Sequence, residues 1–270
     1  MSGKKLKGKV AIVTGGGRGL GRAMVLGLVA AGARVVMTAS REAAEVEGVA
    51  SEVGNDRLIP VLADVTREED CARVVAMAQH HFGRLDILVN NAGRGMKYVS
   101  EQFLTDPTRF WETDPDIWRL VIDTNVNGPF LMARAAVPVM IKAGRGRIIN
   151  ITMNHATMRR RGFSPYGPSK AALESETIIW AQDLDGTGIT VNALLPGGAT
   201  ATGMIPEGFP HEARSSLLAP SVIVQPLLWL ASEASDGLTG RRLDASKWKA
   251  ELPEIEAAKA ALDDAGWSIV

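Results

Sequence analysis

The chain has 270 residues, with 30 basic and 30 acidic side chains, 46% hydrophobic residues and only 5% aromatics. That length accommodates one large α/β domain or two small ones, and formal neutrality leaves no global field to recruit nucleic acid or an anionic membrane. The single cysteine, Cys71, excludes an internal disulfide, and beside four scattered histidines it offers no Cys/His metal site.

The opening Met-Ser-Gly-Lys-Lys-Leu-Lys has no apolar run behind its charges and does not read as a signal peptide. No stretch approaches the ~18 uninterrupted apolar residues of a membrane span. The expectation is a soluble, cytoplasmic protein. Residues 9–14 (KVAIVT) are a short β-branched run, followed at once by the cluster Gly15-Gly-Gly-Arg18-Gly19-Leu20-Gly21. From Leu20 to Ala31 the apolar residues are spaced for a helix that stops at Gly32. A strand, a glycine turn and a helix N-terminus together make an anion site, with backbone N–H groups facing a phosphate. The spacing Gly15-x3-Gly19-x-Gly21 is not G-x-G-x-x-G, and a plain tight turn is the alternative; the flanking strand and helix favour a nucleotide.

Residues 34–39 (RVVMTA) read as the second strand, ending in Ser40-Arg41. In dinucleotide folds an acid near this place holds the ribose 2′-OH, whereas an arginine accommodates a 2′-phosphate. Here no acid comes before Glu42, which opens the next helix, and Arg18 in the glycine loop reaches toward the same group. Two cations and a hydroxyl argue for NADP(H); NAD(H) is the alternative if both arginines point to solvent. Residues 58–62 (LIPVL) form a third strand running into Asp64-Val65, a helix spans 67–82, and residues 86–89 (DILV) form a fourth strand before Asn90-Asn91-Ala92-Gly93. Apolar strands alternating with helices are the pattern of a parallel sheet buried on both faces. Gly15, Ser40, Asp64 and Asn91 all fall at strand ends and converge on one crevice.

Residues 94–117 carry Tyr98, Phe103, Phe110 and Trp111 among prolines and acids, as a rim over an apolar substrate or as a subunit contact. One long helical pattern runs from Ile117 to Ala143, and residues 147–152 (RIINIT) are the fifth strand. Arg159-Arg160-Arg161 is a solvated basic turn or a partner for an anionic substrate. The helix expected over 163–184 carries Tyr166-x3-Lys170, a phenol and an ammonium on one face. A nearby cation lowers the pKa of a phenol and fits it for general acid/base work on an oxygen; a surface pair is the plain alternative. A sixth strand at 189–195 leads to Pro196-Gly197 and Thr202, then a mobile substrate lid over 204–218, a helix over 220–232 and a last strand over 241–245. Past it, the tail from Ser246 contains a helical stretch, 253–265, bracketed by Trp248 and Trp267. It packs on its own domain or covers a neighbouring subunit.

Thr14-Gly15-x3-Gly19-x-Gly21, Asp64, Asn90-Asn-Ala-Gly93, Asn125, Tyr166-x3-Lys170 and Pro196-Gly197 occur in the order and approximate spacing of the short-chain dehydrogenase/reductase family. On these motifs the chain resembles that family over residues 5 to about 245. The resemblance implies a single Rossmann-type α/β domain, a doubly wound parallel sheet of about seven strands. It implies hydride transfer between NAD(P) and a small-molecule carbonyl or secondary alcohol, with Tyr166 moving the proton. Lys170 would lower the tyrosine's pKa and hold the nicotinamide ribose. Asn125, or less favourably Asn127, would break its helix and hold a water in a relay to Lys170, Pro129 having removed a donor to the Asn125 carbonyl. Asp64 and Val65 would contact the adenine, Asn91, Ala92 and Gly93 would line the groove, and Thr202, with Thr200 as alternative, would bind the carboxamide. The family's habit also implies a homotetramer or homodimer built on the helices around 125–143 and 163–184.

The chain departs from the family at two places. The segment between Gly93 and Asn125 is longer than usual. The serine that family members carry thirteen positions ahead of the tyrosine is Met153 here. A thioether cannot donate to an oxyanion, so Thr152, Asn154 or His155 would have to substitute. If none does, the resemblance implies a catalytically weak cofactor-binding protein instead.

Overall fold

The computed structural model describes residues 4–54 and 56–263. Short β-branched runs form β1 (Val10–Val13), β2 (Arg34–Ala39), β3 (Leu58–Leu62), β4 (Ile87–Asn90), β5 (Gly146–Ile151), β6 (Ile189–Leu195) and β7 (Arg242–Asp244), all parallel. An eighth strand, β8 (Leu262–Asp263), adds antiparallel to β7. The sheet order is β3-β2-β1-β4-β5-β6-β7-β8. Strand order reverses between β1 and β4, where Val13 pairs with Met37 on one side and Val89 on the other. Open α/β sheets bind ligands beyond the strand ends at such a reversal.

Alternation along each strand sends its side chains to two separate cores. Ala11, Val13, Val35, Met37 and Ile149 pack beneath α1 (Gly19–Ala30), α8 (Val224–Leu230) and Ala258 of α9 (Glu254–Ala261). Val10, Ile12, Val36 and Ile148 pack beneath α3 (Glu68–Phe82), α5 (Gly128–Ala143) and α7 (Tyr166–Asp183). Ile12, Leu28, Leu88 and Ile148 are fully buried, each worth about 1.5–3 kcal/mol of burial. The remaining helices are α2 (Ala43–Val53), α4 (Pro115–Ile122) and the short α6 (His155–Met158). No helix among the described residues is long and apolar enough to cross a membrane.

The single helix expected over 117–143 is interrupted. Between α4 and α5 lies one turn of π-helix, Asp123–Asn127, in which Gly128 N–H bonds to the Asp123 carbonyl five residues back. Pro129 has no N–H to offer Asn125 four residues back, so the helix widens instead of continuing. The tail also differs from expectation. Its helix ends at Ala261 rather than running to 265, and the chain turns into β8. Ala257, Ala258 and Ala261 are buried and Trp248 lies 6.3 Å from the Trp229 ring, so the tail packs on its own domain as far as Asp263. Ala265 and Trp267 lie outside the described residues.

The segment after β4 builds a third, smaller core over the sheet's carboxyl edge. Met96 and Phe103 pack with Met153, Met158 and Phe163, and Tyr166 closes one side. The Phe103 and Phe163 rings meet edge to face at 5.7 Å. Phe110 and Trp111 of the same segment stay 66% and 65% exposed, away from that core.

Candidate active site

Beyond the end of β1 the glycine loop is tied to β4. Thr14 Oγ1 accepts from Asn91 N and Ala92 N, each at 3.0 Å, and Asn91 Nδ2 donates to the carbonyls of Thr14 at 2.8 Å and Gly15 at 3.0 Å. Gly15 sits at φ +64°, and a Cβ on Gly21 would lie 1.9 Å from Gly15 O, so only glycine allows α1 to start there. No side chain caps α1. Its first N–H groups, with the positive helix end, are left to an anion.

A cavity of about 520 Å³ opens over this loop. Its wall carries Gly15, Arg18, Gly19, Leu20, Gly21, Ser40, Arg41, Asp64, Val65, Asn91, Ala92, Gly93 and Thr202, the expected cofactor residues apart from Tyr166, Lys170, Pro196 and Gly197. At the β2 end Ser40 and Arg41 are exposed, and Arg41 forms no ion pair among the described residues. Arg18 is differently placed: its guanidinium pairs with Glu45 of α2 at 3.2 Å. That carboxylate on the cavity wall was not legible as part of the site. Asp64 Oδ1 accepts from Thr66 N and Oγ1. Asp64 N in turn donates to Asp70, and this bond, then Arg73, holds the Asp70 carboxyl below its ordinary range.

Thr202 lies over the glycine loop, its Cγ2 3.0 Å from where a Cβ on Gly19 would stand. Thr200 is turned to its own backbone, donating to Gly198 O at 3.1 Å. Pro196 and Gly197 stay outside the cavity wall. A Cβ on Gly197 would fall 2.1 Å from Asp244 Oδ1, so that glycine answers to packing against the end of β7.

Behind Gly93 lie the groups expected to do chemistry. A Cβ on Gly93 would stand 3.3 Å from Asn125 Oδ1 and 3.7 Å from Lys170 Nζ. Lys170 is 3% exposed and donates to Ile151 O at 2.8 Å. Asn125 is fully buried: Oδ1 accepts from Arg94 N at 2.8 Å, while Nδ2 donates to Arg94 O at 3.0 Å and Ser169 Oγ at 2.9 Å. The electrostatics differ from the expected lysine-lowered phenol. Burial pushes the Tyr166 phenol up to about 12 and the Lys170 ammonium down to about 8. Desolvation is the cause for both groups, the buried ammonium being turned to a neutral carbonyl and the phenol partly buried against the third core.

Met153 is buried in the third core beside Tyr166. Asn154 is engaged as the N-cap of α6, accepting from Thr157 N at 2.8 Å. His155 Nε2 meets Glu174 Oε2 at 2.8 Å. Thr152 Oγ1 is buried with no hydrogen-bond partner among the described residues. The loop is anchored from β7: Arg242 donates to Met153 O and Glu174 Oε1, each at 2.7 Å, and pairs with Asp263 of β8. This buried network and Arg94 were missed from the sequence. Arg94 follows the Asn-Asn-Ala-Gly run directly, and its position alone was the available signal. Arg159, Arg160 and Arg161 are exposed, Arg160 lying over the Phe163 ring.

Known proteins with the same pattern bear on this geometry. The family profile described as short chain dehydrogenase matches residues 9–213. A 3-oxoacyl-(acyl-carrier-protein) reductase of Thermotoga maritima is 32% identical, over 88% of this chain and 96% of its own. A short chain dehydrogenase of Monascus purpureus is 31% identical over 92% of this chain and 84% of its own. Among solved structures, a 3-ketoacyl-(acyl-carrier-protein) reductase of Brucella melitensis complexed with NADH superposes with a TM-score of 0.78 at 31% identity, covering 88% of this chain and 97% of that one. A short chain dehydrogenase of Shigella flexneri complexed with NADP gives 0.79 at 26% identity, over 91% of this chain and all of that one. On the family model over residues 9–213, these relatives and the shared sheet, the chain belongs to the short-chain dehydrogenase/reductase family of oxidoreductases.

Proposed function

We propose that this enzyme interconverts a carbonyl compound and a secondary alcohol with NADP(H), using Tyr166, Lys170 and Asn125. The observation that carries the reading is the convergence of Lys170 Nζ and Asn125 Oδ1 directly behind Gly93, at one end of a cavity whose other end is a glycine-lined helix start. The residues fit a dinucleotide: glycines where a Cβ would clash, uncapped N–H groups for a pyrophosphate, and Arg41 without a carboxylate partner at the end of β2.

The bound nicotinamide supplies the hydride, or accepts it in the reverse direction. The start of α1 would hold the pyrophosphate and Ser40 and Arg41 the 2′-phosphate, with Arg18, now paired with Glu45, beside them. Asp64 and Val65 would face the adenine, Asn91, Ala92 and Gly93 would line the groove, and Thr202 would bind the carboxamide, with Pro196 and Gly197 bracing its loop. In reduction, the Tyr166 hydroxyl gives its proton to the oxygen of the carbonyl as the carbon gains hydride. A phenol near 12 still protonates an alkoxide, a stronger base. Lys170, charged at neutral pH with its pKa near 8, returns a proton to Tyr166. Asn125 supports the relay: its carbonyl has lost a donor to Pro129.

Met153 favours a second reading, a cofactor-binding protein with little turnover. Both are tested by following NADPH oxidation against ketones, aldehydes and quinones in wild type, Tyr166→Phe, Met153→Ser and Arg41→Ala. Turnover lost in Tyr166→Phe is expected. Restoring a donor with Met153→Ser is expected to raise kcat by about 10²–10³-fold, at a cost of about 2 kcal/mol or more in stability from the emptied third core. Arg41→Ala weakens NADPH far more than NADH; equal losses would sink the 2′-phosphate assignment. Turnover in Met153→Ser alone, with NADPH bound by both, selects the second reading.

We further propose a cytoplasmic homotetramer or homodimer. Trp118 of α4, Phe130 and Ile141 of α5 and Ile179 of α7 are exposed apolar side chains on the helices that would pair.

A further inference from the structure

We propose that Arg94 forms an anion subsite at the reacting end of the cleft, so that the natural substrate carries a carboxylate as well as its reacting carbonyl. This rests on the carbonyl-reductase reading above.

Arg94 is only 7% exposed, yet no ion pair among the described residues meets its charge. A guanidinium offers five N–H donors and keeps its charge in a protein. Here Nε gives one bond to Thr124 Oγ1 at 3.2 Å, and the Tyr98 ring lies 4.7 Å from Cζ. No carboxylate among the described residues pairs with it, and no described acceptor reaches its terminal nitrogens. The other deeply buried arginine shows how this fold otherwise settles such a charge. Arg242, 5% exposed, is met by Glu174, Asp263 and the Met153 carbonyl. A buried cation without such partners is costly to fold around, and a cation–π contact offsets only part of that cost. Arg94 stands on the wall of the cavity, between Gly93 and Gly95.

Position says which anion. Gly93, on one side of Arg94, backs onto Lys170 and Asn125; Gly95, on the other, faces Met204, whose sulfur is 3.3 Å from where a Cβ on Gly95 would stand. Arg94 is therefore bracketed by the proton-transfer groups and the loop after β6. The cofactor's phosphates have their own donors at the start of α1 and at Arg41. Lys97, also on the cavity wall, adds a second cation, paired with Glu101 at 3.6 Å. The Thr124 bond and the Tyr98 ring engage only part of the guanidinium. Asn125 is clamped by the backbone N–H and carbonyl of residue 94, and any residue but proline supplies those. A carboxylate meets a guanidinium through two parallel N–H···O bonds, and would orient a substrate beside Tyr166 where Met153 offers no donor.

The test is calorimetric. Protein saturated with NADP+, or with NAD+ if only that binds, is titrated with 4-formylbenzoate, phenylglyoxylate and 4-oxopentanoate and with their methyl esters; the oxidised cofactor prevents reduction. At least one acid is expected to bind about tenfold or more tightly than its ester. Arg94→Met is expected to bring that acid down to the ester's affinity and leave the ester unchanged, while Arg94→Lys keeps part of the preference. Melting curves and nucleotide affinity of each variant report whether it is folded, and the acid–ester comparison in wild type stands without them. Acids and esters bound alike, no acid bound in the millimolar range, or a preference that survives in Arg94→Met would overturn the subsite while leaving the reductase reading intact. Failure to bind either nucleotide would instead overturn the reductase reading, and this proposal with it.

Discussion

At the scale of single residues, the site is governed by what burial does to two opposite ionisations. Lys170 is held near 8 and Tyr166 near 12, because each loses water and neither gains a charged partner. If Lys170 must be charged to return the proton, kcat/KM for carbonyl reduction is flat at neutral pH and falls as pH rises through about 8. Steady-state profiles of wild type and Lys170→Arg check this; the arginine variant, unable to release a proton there, loses activity and the break near 8 together. The same shifts act on folding. Charging Lys170 costs the folded state below about 8, and that cost lifts as pH climbs toward the unfolded value of 10.5. Tyr166 has the opposite sign, favouring the folded state below 10 and losing that contribution toward about 12. Tyr166 and Lys170 were nominated by helical spacing together with the family pattern, and Asn125 by the family pattern alone. Arg94 and Glu45 were not. A charge's role depends on which opposite charge folds against it, and sequence distance does not report that.

At the scale of elements, the interruption between α4 and α5 positions more chemistry than its length implies. Pro129 was legible as the residue that strips Asn125 of a helical bond; that the helix would respond with a π turn, passing Gly128 N–H back to Asp123, was not. Pro129→Ala restores the missing donor and lets the ladder close. The expected result is unchanged or slightly greater thermal stability with turnover reduced by about tenfold or more, read by melting curves and kcat in parallel. Unchanged turnover would remove the turn from the proton relay. The loop after β6 is a second such element. Its ends are drawn together by Ala201 N to Leu218 O and Leu218 N to Ala199 O, both 2.9 Å. The residues between them form a closed excursion that brings Met204 over Gly95, a geometry suited to the proposed lid.

At the scale of the whole molecule, periodicity supplied the alternation of apolar strands with helices and a crevice at the strand ends, the family resemblance supplied the seven-stranded parallel sheet, and the β1–β4 reversal appears only in the fold. The eighth strand came from neither, since Leu262–Asp263 is too short to show a period and is strand only because β7 leaves an edge to pair with. The third core escaped for the related reason that Met96, Phe103, Met153 and Phe163 are scattered in sequence and meet only in the fold. The exposed Trp118, Phe130, Ile141 and Ile179 side chains belong to this scale too. Light scattering after size exclusion is expected to give two or four copies per particle, and Phe130→Glu with Ile179→Glu is expected to give one; a wild-type monomer would remove the proposed assembly.

The ion pair between Arg242 and Asp263 also imposes an order on how the enzyme comes into being. The Met153 loop and Tyr166 leave the ribosome well before β7, and β7 leaves before the residue that neutralises its arginine. Until Asp263 emerges, the guanidinium that anchors Met153 O is shared with Glu174 alone, and the sheet edge beside it is bare. The backbone of the Met153 loop is thus held through Arg242 by a carboxylate 110 positions further along the chain.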